Sequence, residues 1–480
     1  MKRALDGWSL PGGAPGRGNA ELGSAQAGGI ADLVIRFPLL ESAGTEELLA
    51  RLHGAWQEVL WARRAEELPE VLGRVGNRFL DPEDSLRREA LEWLPASARI
   101  SPEMAREVLD GMARDWTPER LRLLLRSEFP DPSVLDAFRP ADPAGRRMAV
   151  GPPVQLHLGS GNVPGVTTTS LIRGLMVKSA VLVKPGSGDL ILPLLFRRGL
   201  EEEDEKLARA LAVLYWPGGG PETEAMESGL LSGVRLVVVY GGDDTVATVG
   251  RRLAPGARLV AYPHRWSVAA VARELLSPEH RRRSAEAAAR AVALFEQRGC
   301  VSPQAILVEE GGRGSAREWA RELSYRLDEL RETLPPPPSE LREAAWVQQV
   351  RGAAALQASA GGGGELLEGP GVSWTVFYDP GPVRAEGCLG RTIRVHPVSE
   401  LDGLISHLTP FLPQLQTVAL EAPEGRRGEL ARLLARGGAL RITTLEEMPW
   451  PPAWWRHDGA GPLAALIRWV DLEGEGPAGG

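Results

Sequence analysis

Cys300, in the stretch FEQRGCVSPQ, is the side chain of this sequence best suited to covalent chemistry. It follows a long amphipathic helical pattern, roughly Pro278 to Gln297, and precedes SPQAILVEE, which reads as a buried strand. A thiol at a helix-to-strand junction sits on a loop held by rigid elements, where reactive groups concentrate. Arg298, two residues away, would favour the nucleophilic thiolate. The alternative is a small core hydrophobe, the usual role of a lone cysteine. Cys388, in RAEGCLGR, has that reading and nothing to raise it.

Further candidates lie upstream, each at the end of a strand-like run. Asn162 stands in GSGNVPG after VQLHL. Its amide could donate to an oxyanion, or it could be a turn residue that tolerates a left-handed backbone. Gly159 and Gly161 would let a ligand approach the backbone, but the next glycine is Gly165, so the spacing is not that of a dinucleotide fingerprint. Lys184 ends AVLVK and meets PGSG, placed to reach a ribose hydroxyl or a phosphate; the alternative is a solvated strand end. Lysine occurs only at positions 2, 178, 184 and 206, in a chain otherwise drifted to arginine. That scarcity favours a specific use for Lys184, because a compact ammonium and a guanidinium are not interchangeable. Gly241 and Gly242 form the next such turn. Asp243 and Asp244 after them suit a helix N-terminus but make it a poor phosphate cradle.

These positions require a scaffold of alternating strands and helices. VQLHLGSGNVPG, SAVLVKPGSGD, VRLVVVYGGDD and RLVAYPHRWS read as strands running into turns. TTTSLIRGLMVK, DEKLARALAVLY and DTVATVGRRL read as the helices between them. Such alternation predicts a parallel sheet covered on both faces, with ligands at the carboxyl ends of its strands. Before it, residues 31–147 are helical in pattern, and residues 1–30, rich in Gly, Ala and Pro, read as a disordered tail. After it, SWTVFYD, GRTIRVHPV and TVALEAP predict a second α/β domain. The expected division is a helical N-terminal region over 31–147 packing on a dinucleotide-binding domain at 148–268. A catalytic domain at 269–447 carries Cys300, and a C-terminal tail at 448–480 would pair with a sheet or a partner subunit.

Composition excludes other classes. The chain has 480 residues, enough for two or three domains. No apolar run approaches the roughly 20 residues of a membrane helix, and the start has no signal-peptide core. A cytoplasmic enzyme without an integral membrane segment is expected. A net charge of -8 gives no reason to expect a nucleic-acid partner. Two cysteines fit a reducing compartment rather than a disulfide framework. No metal site is expected.

Taken in order and at their spacing, LHLGSGNVPG, SAVLVKPGSGD, VVVYGGDD, YPHRWS and FEQRGCVSPQ resemble the aldehyde dehydrogenase superfamily. Within it the sequence is most similar to the LuxC-type acyl-CoA reductases, the branch that makes long-chain aldehydes. The resemblance is good from Val154 to Glu310 and holds in outline elsewhere. It implies an aldehyde dehydrogenase-like α/β fold: a Rossmann-type parallel-sheet cofactor domain, a second α/β catalytic domain and a helical N-terminal region. It also implies that Cys300 is the nucleophile, and that Asn162 and the Cys300 backbone N–H form an oxyanion hole. Lys184 would contact the adenosine ribose, and the Gly241-Gly242 turn would pass near the dinucleotide.

One departure from the superfamily is informative. Its aldehyde-oxidising members carry Glu-Leu-Gly-Gly some thirty residues before the cysteine, and that glutamate activates the water that hydrolyses the thioester. Here the stretch reads AYPHRWS, with no carboxylate at Ala261, Tyr262, Pro263 or His264. His264 is a candidate acid or base, or a structural residue. Loss of the base favours thiol exchange and hydride reduction over hydrolysis. Cofactor choice rests on Ser187, three residues after Lys184, where NAD-preferring relatives often have glutamate. A neutral serine beside a lysine suits a 2′-phosphate, so NADPH is expected, with NADH the alternative; Asp189 would reverse this if it faced the cofactor.

The expected activity is NADPH-dependent reduction of a fatty acyl thioester to the aldehyde, through an acyl-enzyme on Cys300. The expected partners are a fatty acyl-CoA or an acylated protein, and further copies of the same chain. The alternatives are an aldehyde dehydrogenase working in the oxidising direction and a non-catalytic binding module of the same fold.

Overall fold

A computed structural model describes residues 3–13, 20–26, 33–141, 145–360, 362–383 and 387–473. They fall into two compact units. The first draws on 1–99, 105–263 and 452–480, the second on 100–104 and 264–451.

The first unit is built on a six-stranded sheet. Its strands are β2 (Trp8–Ser9), β7 (Val154–Leu158), β8 (Ala180–Lys184), β9 (Leu211–Leu214), β10 (Leu236–Tyr240) and β11 (Arg258–Tyr262), in the order β11-β10-β7-β8-β9-β2. All neighbours pair in parallel except β2, which runs antiparallel at the edge. Val181, Leu182 and Val183 of β8 are fully buried, as in a parallel sheet covered on both faces. Helices α6 (Val166–Met176) and α7 (Ile191–Glu203) follow β7 and β8. A short α8 (Glu205–Ala208) leads into β9, and α9 (Pro221–Ser232) and α10 (Asp243–Arg252) flank β10.

The N-terminal region is helical as expected, with α1 (Ser42–Ala55), α2 (Leu68–Arg78), α3 (Ser85–Ala98), α4 (Pro102–Arg114) and α5 (Pro118–Glu128). Their starts are legible: Asp84 caps α3 by accepting from Leu86 N–H, and Thr117 caps α5 with Pro118 in its first turn. Helices α2 and α3 pack on α7, and α1 packs on α9.

Several expectations need correction. The disordered tail over residues 1–30 instead contains β1 (Arg3–Asp6), β2 and β3 (Ala20–Gln26); residues 1–2, 14–19 and 27–30 of that stretch lie outside the described residues. β1 and β3 pair with β4 (Leu33–Leu40). Residues 205–214 are not one helix. Ala210 to Leu214 are all buried, a central strand written in helix-tolerant Leu and Ala. The central stretch of the first unit ends at Pro263, so RLVAYPHRWS contributes to two sheets: β11 lies at the edge of one and β12 (Trp266–Val271) belongs to another. The C-terminal segment, by contrast, pairs with a sheet, one of the two roles expected of it. β19 (Arg468–Leu472) pairs with β6 (Arg146–Val150), which also pairs with β5 (Arg139–Pro140).

The second unit holds a seven-stranded sheet. Its other strands are β13 (Pro303–Glu309), β14 (Glu365–Glu368), β15 (Thr375–Tyr378), β16 (Thr392–Val398), β17 (Leu415–Glu421) and β18 (Arg441–Thr443). The order is β14-β15-β16-β13-β12-β17-β18, parallel except for the β14–β15 hairpin. Helix α11 (Pro278–Ala293) and helix α12 (Ala316–Thr333) pack together against it. The start of α12 is a capping box, with Ser315 and Glu318 each bonding the other's backbone. α11 stops four residues before the expected Gln297, with consequences described below. Among the described residues no helix is long and apolar enough to cross a membrane.

One polar chain runs through the centre of the first sheet. His157 of β7 is buried; its Nε2–H donates to Gln155 Oε1 at 2.9 Å and its Nδ1 accepts from Ser170 Oγ at 2.7 Å. Gln155 in turn donates to Ser179 Oγ at 2.9 Å. Burial pushes the imidazole pKa down to about 3. An unfolded chain therefore takes up a proton below about pH 6.5 that the folded chain refuses. The increment in stability is complete above that pH and is lost as pH falls toward 3. At pH 5.5 the loss is about 1 kcal/mol. Urea unfolding at pH 7.5 and 5.5 should show His157→Asn losing less stability across that interval than the wild type; equal losses would contradict the assignment.

Candidate active site

Three loops of the first unit lie side by side at the carboxyl edge of its sheet, because β10, β7 and β8 are adjacent and parallel. The loop after β7 carries Gly159, Gly161 and the exposed Asn162. The loop after β8 carries Lys184, Ser187 and Asp189, and the loop after β10 carries Gly241 and Gly242.

The first two loops interlock backbone to backbone. Gly159 N–H donates to Lys184 O at 2.8 Å. A Cβ on Gly186 or Gly188 would collide with the backbone of Gly161, and one on Gly159 with Thr167. These glycines thus have an internal steric role. Gly242 is different: a Cβ there would meet nothing within 4 Å. Asp189 binds the loops to α6. Its carboxylate is buried and accepts from Gly165 N–H at 2.6 Å and Thr167 N–H at 2.7 Å, capping the helix from another loop. Burial pushes its pKa up to about 7 against those hydrogen bonds. Turned into the loop in this way, Asp189 is engaged by α6 rather than directed at a ribose.

Lys184 Nζ sits 5.9 Å from the ring centroids of both Tyr215 and Trp216. Burial lowers its pKa and Glu227 raises it; Glu227 itself accepts from Trp216 Nε1 at 3.1 Å. Ser187 is half-buried in a single 3-10 turn, Ser187–Asp189. At the neighbouring strand ends an aromatic column forms. Tyr240 stacks on Tyr262 at 4.6 Å, Tyr262 on His457 at 4.3 Å, and His457 on Trp455 at 4.5 Å. The tyrosines end adjacent strands in register, a signal present in the sequence. The contributions of Trp455 and His457 carry no local signal.

In the second unit, Cys300 is half-buried in the turn before β13. Its carbonyl accepts from Ser267 Oγ of β12 at 2.6 Å, which pins the turn to the sheet. The expected cation, Arg298, is engaged by Glu343 at 3.0 Å. Arg441, which sequence reasoning did not identify, is a cation that interacts electrostatically with Cys300. Burial pushes its pKa down to about 10, opposed by Glu447 and by Cys300. Its guanidinium is fixed by Met448 O at 2.8 Å and Glu447 O at 2.7 Å. A fixed positive charge near sulfur favours the thiolate. Cys388 is buried, its N–H donating to Gln304 Oε1 at 2.6 Å, as a core residue would be. His264 is exposed, its ring edge-on to Trp266 at 4.6 Å. Asn162, Lys184 and the glycine turns thus belong to the first unit, and Cys300 and His264 to the second.

Comparison with known proteins gives the family and the fold. The family model described as acyl-CoA reductase (LuxC) matches residues 61–469. The long-chain acyl-protein thioester reductase of Vibrio harveyi is 24% identical over 409 residues, covering 83% of this chain and 80% of its own. That of Aliivibrio fischeri is 23% identical, covering 85% and 82%. Among solved structures, an NAD-dependent benzaldehyde dehydrogenase from Corynebacterium glutamicum superposes with a TM-score of 0.71 at 15% identity, over 94% of this chain and 95% of its own. Aldehyde dehydrogenase 21 from Physcomitrella patens gives 0.73 at 13% identity, over 98% of each. The fold is that of the aldehyde dehydrogenases, and the chain belongs to the acyl-CoA reductase (LuxC) family.

Proposed function

We propose that this chain reduces a fatty acyl thioester, carried on coenzyme A or on a protein, to the aldehyde with NADPH. The observation that carries this reading is a half-buried Cys300 thiol in electrostatic interaction with the fixed Arg441 guanidinium, in a chain with no carboxylate at positions 261–264. The relatives named as acyl-protein thioester reductases support it.

The carboxyl edge of the first sheet suits a dinucleotide. Lys184 offers an ammonium between aromatic walls, and the Gly242 turn is open on its Cα side. When bound there, the nicotinamide supplies a hydride to the acyl carbon. The remaining chemistry belongs to the chain. The Cys300 thiolate attacks the thioester carbonyl, a new S–C bond forms, and the old one breaks to release the donor's thiolate. His264 hands that leaving group its proton. Asn162 and the Cys300 N–H donate to the oxygen that becomes negative during attack and again after reduction. Collapse of that oxyanion breaks the S–C bond, frees the aldehyde and returns the thiolate. Without a carboxylate base at 261–264, water competes poorly for the acyl-enzyme.

Radiolabelled tetradecanoyl-CoA should label Cys300. Cys300→Ala should abolish both labelling and aldehyde formation with the fold intact by circular dichroism, whereas Cys388→Ala should still be labelled. Labelling that follows Cys388 instead would contradict the site.

Cofactor preference tests the loop after β8. With Asp189 committed to α6, the neutral Ser187 and Lys184 are left to meet a 2′-phosphate. A charge-assisted hydrogen bond contributes roughly 1.5–3 kcal/mol, so NADPH should be preferred about 10- to 100-fold. Ser187→Glu should weaken NADPH far more than NADH, measured as kcat/KM for each. Equal use of the two by the wild type would remove the argument.

A further inference from the structure

The chain between α11 and Cys300 is wound in the left-handed sense. Phe295, Glu296 and Gln297 have φ of +58°, +51° and +60°, and none is glycine. Arg298 N–H closes the turn on Phe295 O at 3.0 Å, two residues before the thiol. For L-residues this winding costs about 1–2 kcal/mol per residue. It persists only where the surroundings over-determine it.

Each of the three side chains is held by a part of the chain distant in sequence. Glu296 is 2% exposed, and its carboxylate accepts from Arg391 Nε at 3.0 Å and Nη2 at 2.8 Å. Arg391 is equally buried, has a positive φ of its own at +55°, and donates from Nη1 to Leu334 O at 2.8 Å, beyond the end of α12. Gln297 uses its whole amide. Nε2 donates to Pro303 O at 3.0 Å and Thr392 O at 2.8 Å, and Oε1 accepts from Thr392 N–H at 2.9 Å. Phe295 meets Trp450 edge-on at 5.2 Å. A buried ion pair is a weak source of stability, and an apolar pair of equal volume often serves as well. What an apolar pair lacks is the bidentate geometry that selects one backbone conformation.

We propose that Glu296, Arg391 and Gln297 are positioning residues: together they clamp the left-handed turn and so set where the Cys300 sulfur stands during acylation. The inference rests on the reading of Cys300 as the nucleophile. Released from the clamp, the turn relaxes toward right-handed or extended φ values and carries Cys300 with it. A misplacement of about 1 Å is enough to slow a reaction roughly 100-fold.

The test uses the full chain, tetradecanoyl-CoA as acyl donor and no cofactor. Intact-mass analysis gives the number of reactive sites and the rate of acylation per reactive site. Glu296→Gln leaves Arg391 without its charge partner, and Arg391→Lys keeps the charge but loses the fork. Each should slow acylation per site about 10- to 100-fold, with KM within about twofold. Alkylation of Cys300 by iodoacetamide, which needs only an accessible thiol, should change by less than about threefold. Should either variant fail to fold, Gln297→Gly decides, because glycine accepts the left-handed φ and loses only the side-chain bonds; the same slowing is expected. A full rate per site with merely fewer sites or a lower Tm would show an ordinary structural pair and overturn the proposal. A wild type acylated at high rate somewhere other than Cys300 overturns the nucleophile reading, and the clamp with it.

Discussion

Three successive non-glycine residues held at positive φ are the constraint on which the path into the Cys300 turn depends. They set the direction in which the chain leaves α11 and enters the turn of Cys300. Nothing within FEQRGC itself favours that path. It is imposed by Arg391 and Thr392 at the start of β16, by Pro303 at the start of β13, and by Trp450. The Cys300 turn is therefore a product of tertiary structure: side chains of the segment that precedes β13 bond to the starts of β13 and β16, two neighbouring strands of one sheet. Ser267 of β12, bonded to the Cys300 carbonyl, adds the strand on the other side.

The first unit follows the same logic with different means. Its two loops meet as bare backbone, and the glycines at 161, 186 and 188 are required by that contact. Asp189 then ties the pair to the N-terminus of α6. A carboxylate that accepts two amide hydrogen bonds there satisfies donors that a helix start otherwise leaves open. The groups proposed to meet the cofactor, Lys184, Ser187 and Gly242, stand on this framework without belonging to it. Lys184 lies 5.9 Å from the ring centroids of Tyr215 and Trp216, and the charge of Glu227 favours its ammonium form.

Much of this was legible in the sequence where the signal was local. Val- and Leu-rich runs ending in glycine turns marked β7, β8 and β10, a run ending in Pro263 marked β11, and the residues at their ends marked the candidate site. Legibility failed where pairing is remote. β9 was hidden because LAVL has no β-branched majority and follows a helical run. β1 to β3 were hidden because their partners, not their own composition, make them strands. The left-handed turn was unreadable because its partner Arg391 lies 95 residues away and no glycine announces it. Arg441 escaped for the same reason, while Arg298, the near neighbour in sequence, is paired with Glu343. Short-range patterns point to the candidate residues; long-range packing decides which charges surround them.

The central claim is that the acyl-enzyme waits for reduction or a thiol, and not for water. The direct measurement is the fate of acyl-Cys300 formed from tetradecanoyl-CoA without cofactor and freed of excess donor. The account predicts a species that persists for minutes in plain buffer, is discharged as a new thioester by added thiol, and is converted to tetradecanal on adding NADPH. Rapid release of free tetradecanoic acid at a rate independent of both thiol and NADPH would contradict it.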